Sequence, residues 1–247
     1  MTAQDRVIAT ARAQVGYFGK KTNAQLDAPA ANKGGKWNKY ARDLDALGDF
    51  YNGKKNGYDW CDVFVDWCFV TTFGRAAGQR LLCQPDRSCG AGTGYSLGYY
   101  KAKERLFSSP KPGDQIFFGD TKSTWHTGLV VEVSGGYVHT VEGNAGSPSA
   151  VRACRYKLGS KSIKGYGRPD WGLVPQEKPA APEKPAEGKE EDAVKYKTLA
   201  DVPEYYRAAV AKAVEAGALK GTGNGEINVS EDLCRTLTIL DRMGKLD

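Results

Sequence analysis

The stretch that decides the fold is YDWCDVFVDWC, residues 58–68. Residues of mainly apolar character recur in and just after it at the spacing of a helix: Cys61, Val65, Cys68 and Phe69. Glycines precede the stretch, so the sequence predicts a loop and then a helix that begins at Cys61. The unpaired N–H groups and the positive dipole end of a helix start stabilise a thiolate, which is what a nucleophilic cysteine needs.

The sequence holds two histidines, His126 and His139, as candidates for a base that activates Cys61. Each lies in a β-branched run that predicts a strand. The pair Gly135-Gly136 between the runs predicts a tight turn that joins them as a hairpin. We predict His126 as the base because it opens its strand and would lie at the rim of the sheet. The side chain of His139 is predicted to face away or to lie in the core.

Two polar residues near the end of the second strand are candidates for orienting the imidazole. Glu142 and Asn144 are two residues apart, so on a regular strand they share a face. Glu142 is the first candidate to hold His126, and Asn144 would assist the imidazole or the oxyanion. Nucleophile, base and orienting group together form a sensible set for covalent catalysis.

Four segments resemble the CHAP domain family: YDWCDVFVDWCF (58–69), KPGDQIFF (111–118), WHTGLVVEV (125–133) and YVHTVEGNAG (137–146). That family, of the NlpC/P60 superfamily, consists of papain-like cysteine amidohydrolases and peptidases of bacterial and phage origin that cut peptidoglycan. The resemblance covers about residues 2–171. It implies that Cys61 is the nucleophile, that His126 is the general base, and that Glu142 and Asn144 orient the imidazole.

Helical patterns precede the strand patterns, which predicts an α+β fold with N-terminal helices packed on an antiparallel sheet. The resemblance implies that this is the papain-like CHAP fold. Predicted helices are 5–15, 38–47, 61–73 and 95–107, and residues 75–94 are predicted as a loop. Predicted strands are 115–118, the two histidine-bearing runs, 151–156 and 164–171.

Four residues are predicted to bind substrate: Asp59, Trp60, Trp125 and Tyr137. The three aromatic side chains would wall a groove for peptide or sugar, although each is an equally good core residue.

Charge is unevenly distributed along the 247 residues. Residues 1–175 carry 24 basic and 15 acidic side chains, whereas 176–247 carry 11 and 14. A basic first part suits a polyanionic target such as a teichoic-acid-bearing wall. Nucleic acid is disfavoured because no aromatic–basic motif or basic helix is present. No window approaches a membrane span and no apolar signal core opens the chain, so we expect synthesis in the cytoplasm and release to act on the wall.

Cofactors are not predicted. The six cysteines are expected to be free in a cytosolic product, although Cys83 and Cys89 could close a small loop after release. Zinc is disfavoured because no CxxC is present. Calcium stays open because Asp43, Asp45 and Asp49 cluster ahead of the site, but their spacing is not that of an EF-hand and a solvated acidic face is preferred.

The chain is predicted to hold a catalytic domain (1–174), a Pro/Lys/Glu-rich linker (175–195) and a small helical domain (196–247). In the last part, an apolar helical stripe ends near Gly217, and Ser230 caps a second helix over 233–243. This unit resembles a single S-layer-homology repeat, which implies binding to a secondary cell-wall polymer. Self-association to complete a small core, giving a homo-oligomer, is the other interpretation.

The predicted function is that of a peptidoglycan hydrolase of the endolysin type. It would cut either the amide between muramic acid and the stem peptide or a bond within the peptide. Two alternatives stay open: a non-catalytic wall-binding protein on a CHAP scaffold, and a cysteine amidase with another amide substrate.

Overall fold

The structure, a computed structural model, describes residues 1–174, 195–220 and 224–242. The chain divides into two units, Met1–Ala181 and Pro182–Asp247. The predicted linker, 175–195, lies outside the described residues except for Lys195, which begins a strand.

The described part of the first unit places its helices before its sheet. The helices are α1 (Ala3–Arg12), α2 (Lys39–Asp45), α3 (Cys61–Phe73), α4 (Arg75–Leu81) and α5 (Thr93–Ala102). The strands are β1 (Leu106–Phe107), β2 (Gln115–Gly119), β3 (Thr124–Ser134), β4 (Tyr137–Ala145), β5 (Ala150–Lys157) and β6 (Ile163–Gly167). They form one antiparallel sheet in the order β1-β6-β2-β3-β4-β5, which confirms the predicted α+β architecture.

Helix α3 is the centre of this unit. Nearly every side chain from Cys61 to Phe69 is buried, as expected for a helix that is covered on all sides. It packs against the other helices α1, α2, α4 and α5 and against strands β3 and β4. The first residue of α3 is therefore held at the sheet by the packing of the whole helix.

Side-chain caps mark where helices α1 and α2 begin, and two predicted boundaries were wrong. Thr2 and Asp5 form a capping box at α1, and Asn38 caps α2. Helix α4 lies in a segment predicted as loop, and it packs so closely on α3 that a Cβ at Gly78 would lie 3.0 Å from the backbone of Phe69. The predicted helix over 95–107 ends at Ala102, because Leu106–Phe107 pairs with β6 instead.

The β3–β4 hairpin turns at Gly135 and Gly136, both with positive φ, as predicted for a tight turn. The sheet buries both faces. One face packs on the helices through Phe117, Leu129 and Val141. The other carries a smaller cluster with Ile116, Phe118, Val130, Val138 and Tyr166.

A buried ion pair joins the turn before β2 to the segment after β6. The guanidinium of Arg168 donates to both carboxylate oxygens of Asp114, at 3.0 and 2.8 Å. Burial raises the pKa of Asp114, and the neighbouring Arg168 charge opposes that shift. Removing the arginine would leave a fully buried carboxyl without its countercharge.

Replacing Arg168 with alanine should lower the free energy of unfolding by about 3–5 kcal/mol, as breaking a buried pair does. Urea unfolding followed by tryptophan fluorescence reports on this unit, because all five tryptophans lie within residues 1–174. Arg87→Ala is the control, since Arg87 is exposed and 3.9 Å from Asp49; it should stay within about 0.5 kcal/mol. Equal stabilities of the two variants would contradict the prediction.

The second unit, over its described residues, contains helices α6 (Glu204–Glu215) and α7 (Glu231–Arg242) and a two-stranded ladder of β7 (Lys195–Tyr196) and β8 (Val229–Ser230). Ser230 accepts from the backbone N–H of Leu233, so it caps α7 as predicted. Its small core comprises Val202, Ala209, Val210, Ala213, Val229, Cys234 and Leu237. None of the helices described in either unit is long and apolar enough to cross a bilayer.

Candidate active site

Cys61 is the first residue of α3, as predicted. The preceding Trp60 provides no side-chain cap, and the first helical hydrogen bond runs from Phe64 N–H to the Trp60 carbonyl. Cys61 is 7% exposed, and the backbone N–H groups of Asp62 and Thr127 donate to its sulfur. Thr127 directly follows His126 in β3, so the thiol lies against the same stretch of strand that carries the predicted base.

Burial raises the pKa of Cys61 to about 12, the charges of Asp62 and Asp59 add to the rise, and the N–H groups of Asp62 and Thr127 oppose it. Burial therefore opposes the stabilisation of a thiolate that we expected from the start of the helix. Desolvation shifts the pKa of a buried group by up to about 3–5 units, whereas a helix end contributes about 0.3–1 kcal/mol. The raised pKa favours the protonated thiol at neutral pH.

His126 and Glu142 meet across the β3–β4 pair, with Nε2 and Oε2 2.8 Å apart. The same carboxylate accepts from the hydroxyls of Thr140, at 2.5 Å, and Tyr156, at 3.1 Å. Because a carboxylate surrounded by donors acts as an acceptor, Nε2 carries the imidazole proton. Nδ1 then holds the free lone pair, as a general base requires.

Aromatic packing fixes the plane of the imidazole. The ring of Phe118 stacks on that of His126, with centroids 5.8 Å apart and planes 28° apart. Phe118 in turn packs against Tyr156 at 4.5 Å. Sequence reasoning missed Phe118, Thr140 and Tyr156. Alternation along β4 could have placed Thr140 beside Glu142, but Tyr156 comes from β5, and its pairing register is not visible in the sequence.

Two glycines make room for this arrangement. A Cβ at Gly128 would lie 2.5 Å from Cγ of Glu142, so a side chain there would displace the carboxylate that holds His126. A Cβ at Gly143 would lie 2.4 Å from Cβ of Phe64, so this glycine lets α3 approach β4. Both belong to the motif segments that resembled the CHAP family.

A buried polar network connects the start of α3 to β2 and β3. The Gln115 amide donates to Asp62 at 2.9 Å and to Thr127 at 3.1 Å, and Ser96 donates to Asp62 at 2.8 Å. Burial raises the pKa of Asp62. The network fixes the residue after Cys61 relative to the residue after His126, so it holds Cys61 close to the strand that carries His126.

One helical turn on, Asp66 is also fully buried and accepts from Tyr51 and Gln84, both at 2.7 Å. Burial, and then the charge of Asp62, raises the pKa of Asp66. Sequence reasoning had assigned no role to either acid.

Asn144 does not hold the imidazole, contrary to expectation. Its amide donates to Asp59 at 2.9 Å and its oxygen accepts from Ser149 at 2.7 Å. The pairing of β4 with β5 is irregular after Glu142, and Asn144 has a φ of 55°. The strand alternation that would have put both side chains on one face is broken there.

The four predicted substrate-binding residues separate. Trp60 is fully buried among aromatic core residues, and Tyr137 lies at the hairpin turn, roughly 17 Å from Glu142 at about 3.3 Å per residue. Both predictions were wrong as groove walls. Trp125 is 56% exposed next to His126. Asp59 bonds to Asn144 and pairs with Lys36 at 2.8 Å, and Lys36 lowers its pKa.

His139 lies away from this group, as predicted for the rival histidine. Its Nε2 is 3.4 Å from the hydroxyl of Ser134, at the turn end of the hairpin.

The acids considered for calcium are engaged by internal donors. Asp45 accepts from the backbone N–H groups of Lys55 and Asn56, and Asp49 pairs with Arg75 at 2.7 Å. Asp43 accepts from the indole of Trp67 at 2.9 Å. Within residues 1–174, 195–220 and 224–242, no three His, Cys, Asp or Glu side chains form a group that could hold a metal.

All six cysteines are free. The thiol of Cys89 is buried and donates to the Phe50 carbonyl at 3.1 Å. Cys83 lines a separate cavity of about 400 Å³, together with Arg80, Lys103 and Arg105. None of the predicted site residues lines that cavity.

A cavity of about 500 Å³ opens beside the His126–Glu142 pair. Trp125, Arg152 and Tyr156 are among its lining residues. It provides space for a ligand next to the imidazole.

Residues 53–144 match the CHAP domain family. The matched segment contains Cys61, His126 and Glu142, so the CHAP resemblance inferred from the motifs is confirmed for this part of the chain. No curated protein matches the chain. Among solved structures, the NlpC/p60 domain of the peptidoglycan hydrolase SagA is similar at 14% identity, over 66% of this chain and 97% of that one, with a TM-score of 0.35.

Alkylation of Cys61 by iodoacetamide should keep accelerating as the pH rises past 9, because only the thiolate reacts and burial holds the pKa of this thiol at about 12. Mass spectrometry of the Cys61 peptide gives the rate, with the half-buried Cys83 as a reference in the same digest. A rate that levels off below pH 8 would show a thiolate at neutral pH and overturn the prediction.

Proposed function

We propose that the first unit is a cysteine hydrolase that cleaves an amide bond of peptidoglycan. The observation that carries the proposal is the hydrogen-bonded pair of His126 and Glu142. This pair leaves Nδ1 of His126 free, and the strand that carries His126 also contacts the thiol of Cys61. The CHAP match supports the substrate class.

In the proposed reaction, Nδ1 of His126 removes the thiol proton as the sulfur attacks the amide carbonyl carbon. Glu142 stabilises the imidazolium that forms. The backbone N–H of Cys61, at the uncapped start of α3, donates to the oxyanion. Collapse breaks the carbon–nitrogen bond, His126 returns the proton to the departing amine, and a thioester remains.

Hydrolysis completes the cycle. A water molecule gives a proton to Nδ1 and adds its oxygen to the thioester carbon. The carbon–sulfur bond then breaks, the acid is released, and Nδ1 returns the proton to the sulfur, which restores the thiol. Proton removal during attack, rather than beforehand, fits a sulfur whose pKa is raised by burial.

We also propose which bond of peptidoglycan is cut and in which kind of lytic protein the enzyme occurs. The enzyme is either an N-acetylmuramoyl-L-alanine amidase or an endopeptidase, and the arrangement of catalytic unit, linker and small second unit favours an endolysin type. The second unit would bind a wall polymer or associate with a second copy. Mass spectrometry of digested muropeptides separates the bonds: a new amino terminus on the first stem alanine means amidase.

Cys61→Ala should reduce lysis of Gram-positive cell walls by about 10³-fold or more, because the nucleophile is lost. Turbidity of a wall suspension gives the rate. Cys83→Ser is the matched control, since Cys83 lies outside the site, and it should keep normal activity. Equal lysis by wild type and Cys61→Ala would refute the proposal.

Glu142→Gln should lower kcat by about 10²–10⁴-fold with an almost unchanged KM. The amide removes the charge that stabilises the imidazolium, and its N–H can donate to Nε2 of His126, which would move the imidazole proton to Nδ1. Glu132→Gln, at an exposed position of β3, is the control and should be neutral. Steady-state cleavage of soluble muropeptides measures both constants. A KM effect without a kcat effect would assign Glu142 to binding instead.

A further inference from the structure

Arg152 is a cation built into the cavity beside the reacting imidazole. It lies on β5 directly opposite Glu142 in the strand register, and it lines the same cavity as His126. Its guanidinium is nonetheless not paired with Glu142. Among the residues that the structure describes, no aspartate or glutamate forms an ion pair with Arg152.

Two backbone carbonyls hold the guanidinium in place. Its Nε donates to Ala145 at 2.9 Å, and its Nη2 donates to Pro148 at 3.1 Å. A Cβ at Gly146 would lie 2.6 Å from Nε, so only glycine leaves room for this position. These contacts fix the plane of the fork without neutralising its charge, and Nη1 remains as a donor.

The acid opposite Arg152 in the strand register is engaged by other donors. The carboxylate of Glu142 accepts from His126, Thr140 and Tyr156. The positive charge of Arg152 is therefore left for a ligand in the cavity. A planar, pre-positioned guanidinium is the group best suited to bind a carboxylate.

We propose that Arg152 binds a carboxylate of the substrate next to the scissile amide, and thereby selects peptides in which that carboxyl is free rather than amidated. The inference rests on the proposed hydrolase function for its substrate class. Arg152 determines specificity and takes no part in the bond-breaking steps.

The test compares two synthetic muramyl dipeptides that differ only in one group, a free carboxylate or a carboxamide on the glutamate residue. Calorimetry with Cys61→Ala measures binding without cleavage. We expect the carboxylate peptide to bind about tenfold more tightly or better, as a charged hydrogen bond provides. Adding Arg152→Gln should remove that preference, and Arg152→Lys should keep part of it because the charge remains.

Arg155→Gln is the matched control. Arg155 lies on the same strand, but its guanidinium covers the ring of Tyr137 at 5.2 Å, at the far end of the hairpin. It should leave the preference unchanged. Equal binding of the two peptides, no binding of either, or a preference that survives Arg152→Gln would overturn the assignment.

Cleavage by the otherwise wild-type protein separates this inference from the function on which it rests. If a peptide is bound with the expected preference but the protein cuts neither it nor intact cell-wall peptidoglycan, the hydrolase is refuted and the carboxylate site remains. Cleavage of both peptides with equal kcat/KM, unchanged by Arg152→Gln, would leave the hydrolase and refute the site.

Discussion

The close approach of α3 to β4 is the constraint on which the rest of the first unit depends. Gly143 permits it, because any side chain there would meet Phe64. With the helix pressed on the sheet, its first residue comes against β3 at Thr127, and the buried bonds of Gln115 fix that contact. The position of Cys61 is thus set by core packing rather than by a flexible loop.

Cys61 and His126, the two members of the candidate catalytic pair, differ in how far they are buried. It positions Cys61 but raises the pKa of its thiol, with Asp62 adding to the rise. The imidazole, by contrast, is partly open, and its partner Glu142 is buried among donors. A cysteine with a raised pKa is mostly protonated at neutral pH and is therefore less readily oxidised, since the thiolate is the reactive form.

Local patterns were enough to predict the start of α3, the glycine turn of the hairpin and the encounter of His126 with Glu142. Features set by long-range pairing were not accessible. Asn144 turns away because the strand is irregular after Glu142. Arg152 enters the site because β5 pairs with β4 in one particular register. Aromatic character alone could not separate the buried Trp60 from the exposed Trp125.

The stacking of Phe118 on His126 has a consequence for the order of events in the proposed reaction. The imidazole ring of His126 is covered on one side by Phe118, and its Nε2 is hydrogen-bonded to Glu142. These contacts hold the ring in one orientation, so Nδ1 is the only nitrogen that can exchange a proton with the reactants. Amine and water must use the same Nδ1 edge in turn. The first product therefore has to depart before solvent can enter, which imposes ping-pong kinetics and lets a competing amine intercept the acyl group.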